Sequence, residues 1–185
     1  MTDKVVSSYA RATSSALALR VKAMNASTSI DRLCYEFFRE FARCEYCLKR
    51  VGLLDRNRRD PTADWGAFAT QVQDVFQTPP SEEVANAIKC YVTSPPKKQV
   101  FKNGALDWAE SVPDHKSQAE LVLRLVCRVR NNLFHGGKFN DVWFDPQRSE
   151  DFLRAGLQLL RAVVSAHPRV RDAYENRADA FRPLD

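Results

Sequence analysis

No run of 18 apolar residues occurs anywhere in the 185-residue chain, so hydropathy excludes a membrane-spanning helix. The stretch from Met1 to Lys22 is polar and amphipathic and lacks the short apolar core of a secretion signal, and a cytoplasmic protein is expected. Charge of one sign is also scarce, because 28 Lys+Arg against 23 Asp+Glu leave a formal net charge of only +5. A generally basic nucleic-acid surface is therefore not indicated, and any site for a polyanion has to be local. The five cysteines, Cys34, Cys44, Cys47, Cys90 and Cys127, are an odd number that argues against a disulfide framework. Cys44 and Cys47 form a C-x-x-C, but no second C-x-x-C or close Cys/His pair completes a zinc site, and no metal or cofactor is expected. Both thiols read instead as small, mostly buried side chains within a helix. Internal repeats and low-complexity segments are missing too, and the length suits one domain over 1–185.

What the chain does carry is helical periodicity, and the fold class reads as all-α. Val5, Tyr9, Ala12, Ala16, Leu19 and Ala23 predict an amphipathic helix over about 3–24 that packs on the rest of the domain. Ser27-Thr28-Ser29 offers N-caps for a longer helix reaching about Leu53, with Ile30, Cys34, Phe37, Phe38, Phe41 and Leu48 on its apolar face. Trp65, Phe68, Val72, Val75 and Phe76 predict a shorter helix closed by Pro79-Pro80, and Ser81 caps another through Tyr91. After Pro95-Pro96, the pair Asn103-Gly104 between Val100-Phe101 and Leu106-Trp108 signals a small β-hairpin near 97–108. Asp114 or Ser117 caps a helix running from about Lys116 to His135. Pro146 opens the next, with Phe152, Leu153, Leu157, Leu160 and Val164 inward, and His167-Pro168 ends it. Residues 169–180 add a short terminal helical turn, and 181–185 are expected to fray.

The most informative stretch is Cys127 to Lys138, where Arg130 and His135 stand as R-x4-H at the end of a strongly apolar helical pattern stopped by Gly136-Gly137. An arginine can hold a phosphate and a histidine can move a proton near neutral pH, which together are minimum parts for cleaving RNA without a metal. Arg130 shares a stripe with Leu123, Cys127 and Phe134, an expensive place for a permanent charge unless a carboxylate, an anion or a watery cleft meets it. Glu45 lies at the centre of the face defined by Cys34, Phe37, Phe41 and Leu48, and it also needs a partner. Glu45 and Arg130 are therefore expected to face each other across a helix pair. A second, polar stripe joins Arg124, Arg128, Asn131 and His135. There the helix dipole favours a protonated imidazole, and Asn131 stands one turn back to orient it.

Five residues separate Arg130 from His135, about 140° around a regular helix, so the two do not converge within one straight helix. A distorted helix end, a long reach by Arg130 or a second copy of the chain would bring them together. Each residue also has a plainer reading, since histidine and arginine both complement the negative end of a helix.

The segment Arg130-Asn131-Asn132-Leu133-Phe134-His135 resembles the R-x4-6-H motif of HEPN-domain proteins, including the polar residue that commonly follows the arginine. Phe37 to Lys49 is similar to the long second helix of some bacterial members. The resemblance covers about a quarter of the chain. It implies a HEPN-like bundle of four to five main helices that dimerises and sets two motifs in one composite cleft. Many members are metal-independent endoribonucleases used as toxins or in abortive infection and phage defence, beside a neutralising antitoxin or regulatory protein. On that likeness Arg130 and His135 are catalytic, with Asn131 supporting them. One subgroup carries a tyrosine two residues after the histidine that is modified by its antitoxin. Gly137 occupies that place here.

The expected chemistry is attack of a ribose 2′-hydroxyl on the adjacent phosphorus, giving a 2′,3′-cyclic phosphate and a 5′-hydroxyl. His135 serves as general acid or base, Arg130 stabilises charge on the phosphate, and Glu45 supports Arg130. Arg124, Arg128 and Lys138 are expected phosphate contacts on the RNA. The main alternative is a non-catalytic HEPN-like module binding RNA, a nucleotide or a protein. A third is a structural helical dimer in which Arg130 and Glu45 form a buried pair and His135 caps a helix.

Overall fold

Ile30, Leu33, Phe37, Phe41, Cys44 and Leu48 recur at steps of three and four, and all are buried along one side of helix α1, 29–50, in the computed structural model, which describes residues 29–134 and 145–176. The helix expected over 3–24, the segment His135-Gly136-Gly137-Lys138 and residues 181–185 lie outside the described residues. Helix α1 stops three residues short of the expected Leu53. Gly52 takes φ +86°, the Leu53 N–H donates to Leu48 O at 3.0 Å, and the Gly52 N–H donates to Lys49 O at 3.2 Å. This glycine-centred stop satisfies the last carbonyls of the helix and turns the chain sharply. A bridge between Leu54 and Ala63 then closes a charged loop and delivers Asp64, whose carboxylate accepts from the Ala67 N–H at 2.9 Å. Asp64 thereby caps α2 (Trp65–Gln71).

The single helix expected over Trp65 to Phe76 is in fact two, α2 and the one-turn α3 (Asp74–Gln77). The break at Val72 lets Val72, Val75 and Phe76 all turn inward. Helix α4 (Glu82–Thr93) begins at Ser81, whose hydroxyl accepts from the Val84 N–H, and runs two residues past the expected Tyr91 before Pro95-Pro96. The hairpin follows as β1 (Lys98–Lys102) and β2 (Ala105–Ala109), antiparallel with Val100 opposite Asp107 and Phe101 opposite Leu106. Its two-residue turn needs positive φ at both places, and Asn103 (φ 53°) and Gly104 (φ 78°) supply it.

Helix α5 (Gln118–Phe134) is capped by Ser117, which accepts from the Glu120 N–H, while the Glu120 carboxylate accepts from the Lys116 N–H at 2.8 Å. Helix α6 (Pro146–Ala166) starts at Asp145 with proline in its first turn, and Phe152, Leu153, Leu157, Leu160 and Val164 are inward as their spacing predicts. It crosses α1 and α4 at Gly156, where a Cβ would stand 2.6 Å from the Phe37 ring and 2.9 Å from the Tyr91 hydroxyl. Helix α7 (Pro168–Tyr174) turns back from α6 at His167. The Tyr174 hydroxyl sits 2.7 Å from both oxygens of the buried Glu40 carboxylate and donates to it, which ties α7 to α1. The result is a mostly helical fold with one small hairpin, its core shared by α1, α2, α4, α5 and α6. Among the described residues no helix is long and apolar enough to cross a membrane.

Candidate functional site

The last two turns of α5 hold the described part of the R-x4-H motif. Val122, Leu123, Leu125, Val126 and Val129 bury the helix and so fix which way its remaining side chains point. Arg130 turns toward α1. Its Nη2 lies 3.3 Å from Glu45 Oε2, with the two side chains 31% and 23% exposed, so the two charged residues that the sequence places on apolar faces do meet. The guanidinium carbon stands 4.8 Å above the Phe41 ring and 6.0 Å from Phe134, and Phe134 in turn packs on Phe38 at 5.0 Å. Aromatic faces stabilise the cation where water is largely excluded. Arg130 Nε is buried and has no hydrogen-bond partner among the described residues. The arginine is thus held by one carboxylate oxygen and two rings, with donor capacity to spare.

Asn131 points elsewhere. It is exposed and, with Arg124, Arg128, Lys98, Asp64 and Trp65, lines a cleft of ≈ 520 Å³ between α5, α2 and the hairpin. Arg130 is not among the residues lining that cleft. The Trp65 ring stacks on Phe41 at 5.1 Å and so packs on the same ring that the Arg130 guanidinium covers. Within one chain, then, the polar stripe opens on one side of α5 and Arg130 on the other. His135 and Lys138 lie outside the described residues.

The two expected phosphate contacts on α5 have protein partners already. Arg124 grips Glu120 through Nε at 2.9 Å and Nη2 at 2.7 Å, and the backbone N–H of Lys116 and this guanidinium together hold the Glu120 carboxyl below its usual range. Arg128 Nη1 donates to Pro96 O at 3.1 Å and also to Ser111 O, on either side of the hairpin. Asn132 Nδ2 donates to Lys97 O at 2.9 Å and Arg148 Nη2 to Pro95 O at 3.1 Å. Arg128 is accordingly a clamp on the hairpin as well as a wall of the cleft. Lys98 and Arg58, which also line it, were not singled out by the sequence. Lys98 lies one residue into a strand and Arg58 in a loop, and only the tertiary fold carries them to α5. A second cleft, of ≈ 390 Å³, lies on the α6 side of α5 and is lined largely by Trp108, Val129, Leu133, Phe152 and Leu153, an apolar surface unsuited to phosphates.

No thiol here is poised as a nucleophile. Burial pushes Cys127 up to about 12 and raises Cys44 well above the ordinary thiol range. Cys44 and Cys47 are buried side by side on α1, and among the described residues no three His, Cys, Asp or Glu side chains come together as a metal site. His167, given no role from the sequence, is structural. Its Nδ1 accepts from the Val170 N–H at 3.2 Å, and Nε2 lies 2.7 Å from Gln71 Oε1, joining the α6–α7 corner to α2. Comparison with protein-family models, with curated proteins and with solved structures gives no match.

Proposed function

We propose that the chain is a metal-independent endoribonuclease of HEPN type, a toxin or phage-defence effector working in the cytoplasm, with two copies sharing one cleft. The observation that carries this reading is the setting of Arg130. It stands near the end of α5, five residues before His135, aimed by a single Glu45 oxygen and by Phe41, with a buried Nε left over. An arginine fixed in direction yet short of partners suits an anion whose charge grows during reaction. In the reaction, His135 takes the proton of a ribose 2′-hydroxyl, and the freed oxygen bonds to phosphorus. The bond from phosphorus to the 5′-oxygen breaks, and that oxygen receives a proton from an imidazolium, leaving a 2′,3′-cyclic phosphate and a 5′-hydroxyl. Arg130 neutralises the non-bridging oxygens, Glu45 keeps it in place, and Asn131 orients the imidazole or the RNA backbone. Arg124, Arg128 and Lys138 give the approach a positive field that positions RNA without reading bases. A shared cleft answers the separation of Arg130 from the polar stripe, because one copy's arginine then serves the other's histidine. An antitoxin or other regulatory protein would restrain such an activity.

One observation favours a second reading. Since Arg130 does not line the polar cleft, that cleft could bind RNA, a nucleotide or a protein with no turnover. End-labelled RNA incubated with the purified chain in EDTA separates the two. We expect cleavage with cyclic-phosphate ends, a loss of at least about 100-fold in Arg130→Ala and His135→Ala, and a smaller loss in Glu45→Gln. Cleavage untouched by either alanine overturns the catalytic reading, and retention of RNA without cleavage establishes the binding module.

A further inference from the structure

Helix α1 leaves one face uncovered. Along it Tyr35 is 66% exposed, Phe38 42% and Tyr46 54%, with Ala42 exposed between them, and Phe134, 56% exposed, extends the patch beside Phe38. Three aromatic rings on one face of a core helix form an apolar patch that asks for a partner. We infer that the partner is this chain's own segment 3–24, laid antiparallel along α1 as the second arm of a helical hairpin.

Three observations on the sequence and the helix carry the assignment. The first is length: 3–24 and 29–50 each hold 22 residues, joined by a connector, 25–28, that fits the two to eight residues usual between antiparallel helices. The second is spacing. The apolar positions of the segment, read backward as Ala23, Leu19, Ala16, Ala12, Tyr9 and Val5, step by four, three, four, three and four. The exposed row of α1, read forward from Asp31 through Tyr35, Phe38, Ala42 and Glu45 to Lys49, steps identically. One register therefore matches both, with Leu19 opposite Tyr35, Ala16 opposite Phe38, Ala12 opposite Ala42 and Tyr9 opposite Glu45.

The third is charge. Residues 12–19 carry none, and in this register they face 35–42, with charge returning only at Arg11 and Arg20. A second copy would instead set the exposed Arg32, Arg39, Arg43 and Arg50 of one α1 against those of another, a repulsive pairing. Small residues opposite Phe38 and Ala42 also permit close approach of the two helices. The arm would roof the patch beside Phe134 and pass over Glu45, so any second copy must approach α5 from another side. This assignment does not depend on the ribonuclease reading.

The test uses the full chain. In Ala12→Cys/Ala42→Cys, mild oxidation is expected to give a 12–42 disulfide within one chain, mapped by mass spectrometry, whereas the off-row pair Ala10→Cys/Ala42→Cys stays unlinked. A 12–42 link joining two chains shows that a second copy occupies the face and overturns the assignment, as does the absence of any 12–42 link. The unmodified chain gives an independent reading by limited trypsin digestion. Slow cleavage at Arg11 and Arg20, independent of protein concentration, is expected. Rapid cleavage there while the core stays intact, or protection that appears only at high concentration, refutes it.

Discussion

Arg130 shows how a single residue can be both a cost and a device. Its guanidinium gives up part of its hydration for one hydrogen bond of 3.3 Å and the face of Phe41, while Nε finds no acceptor among the described residues. An ion pair about one-quarter exposed gains less than a buried one and is screened less than a surface one. We expect Glu45→Gln to lower stability by roughly 1–2 kcal/mol in urea unfolding, and Arg130→Met to cost less, because methionine keeps the contact with the ring. A double-mutant cycle should give a coupling of about 1 kcal/mol. Strict additivity would show that the pair is only a proximity. The pairing was legible because two charges sat on apolar stripes of two different helices. The grip of Arg128 on Pro96 O and Ser111 O was not, since acceptors 32 and 17 residues away leave no trace in local spacing.

Among the elements, α6 depends most on one small residue. At Gly156 the helix approaches Phe37 of α1 and Tyr91 of α4 so closely that a methyl group would overlap both, and the Tyr91 hydroxyl donates to Phe152 O at 2.9 Å just beside it. Gly156→Ala would ordinarily favour a helix. Here we expect a loss of about 1–3 kcal/mol, read from the urea midpoint, because the core must shift to admit the methyl. Equal or greater stability would mean that the crossing is loose. Other elements declare themselves locally: Asn103-Gly104 can hardly be read as anything but a tight turn, and Ser81 and Pro146 announce their helices. The early end of α1 had a signal in Gly52 that apolar periodicity outweighed. The break between α2 and α3 had none, since no proline or glycine marks Val72-Gln73 and tertiary packing alone sets it.

For the whole molecule, acid works against the fold through two groups. Burial holds His167 below its ordinary 6.5, so the native state prefers the neutral ring that caps α7. Its contribution is complete above 6.5 and is lost as pH falls below that value toward the native pKa. The backbone N–H of Lys116 and the Arg124 guanidinium hold Glu120 below 4.5, a contribution lost at lower pH still. At the alkaline end, burial and the Glu40 carboxylate push Tyr174 up to about 12 from 10, so stability declines again as pH rises above 10. Melting temperature against pH should thus form a plateau with two acid steps. His167→Asn, which keeps an acceptor for the cap, should remove the upper step alone, and an unchanged profile would place that titration elsewhere.

The foot of the hairpin bears on how the molecule breathes. Pro95, Pro96 and Lys97 present three successive carbonyls, and Arg148, Arg128 and Asn132 each satisfy one, while Arg128 also reaches past β2 to Ser111. Two strands alone are marginal in water. Fastened in this way, the strands cannot fray independently of the helix that holds them. The amides of 98–109 and those of the last turns of α5 then belong to one cooperative unit and exchange with solvent together, so loosening the ribbon also loosens the helical turn that carries Arg130.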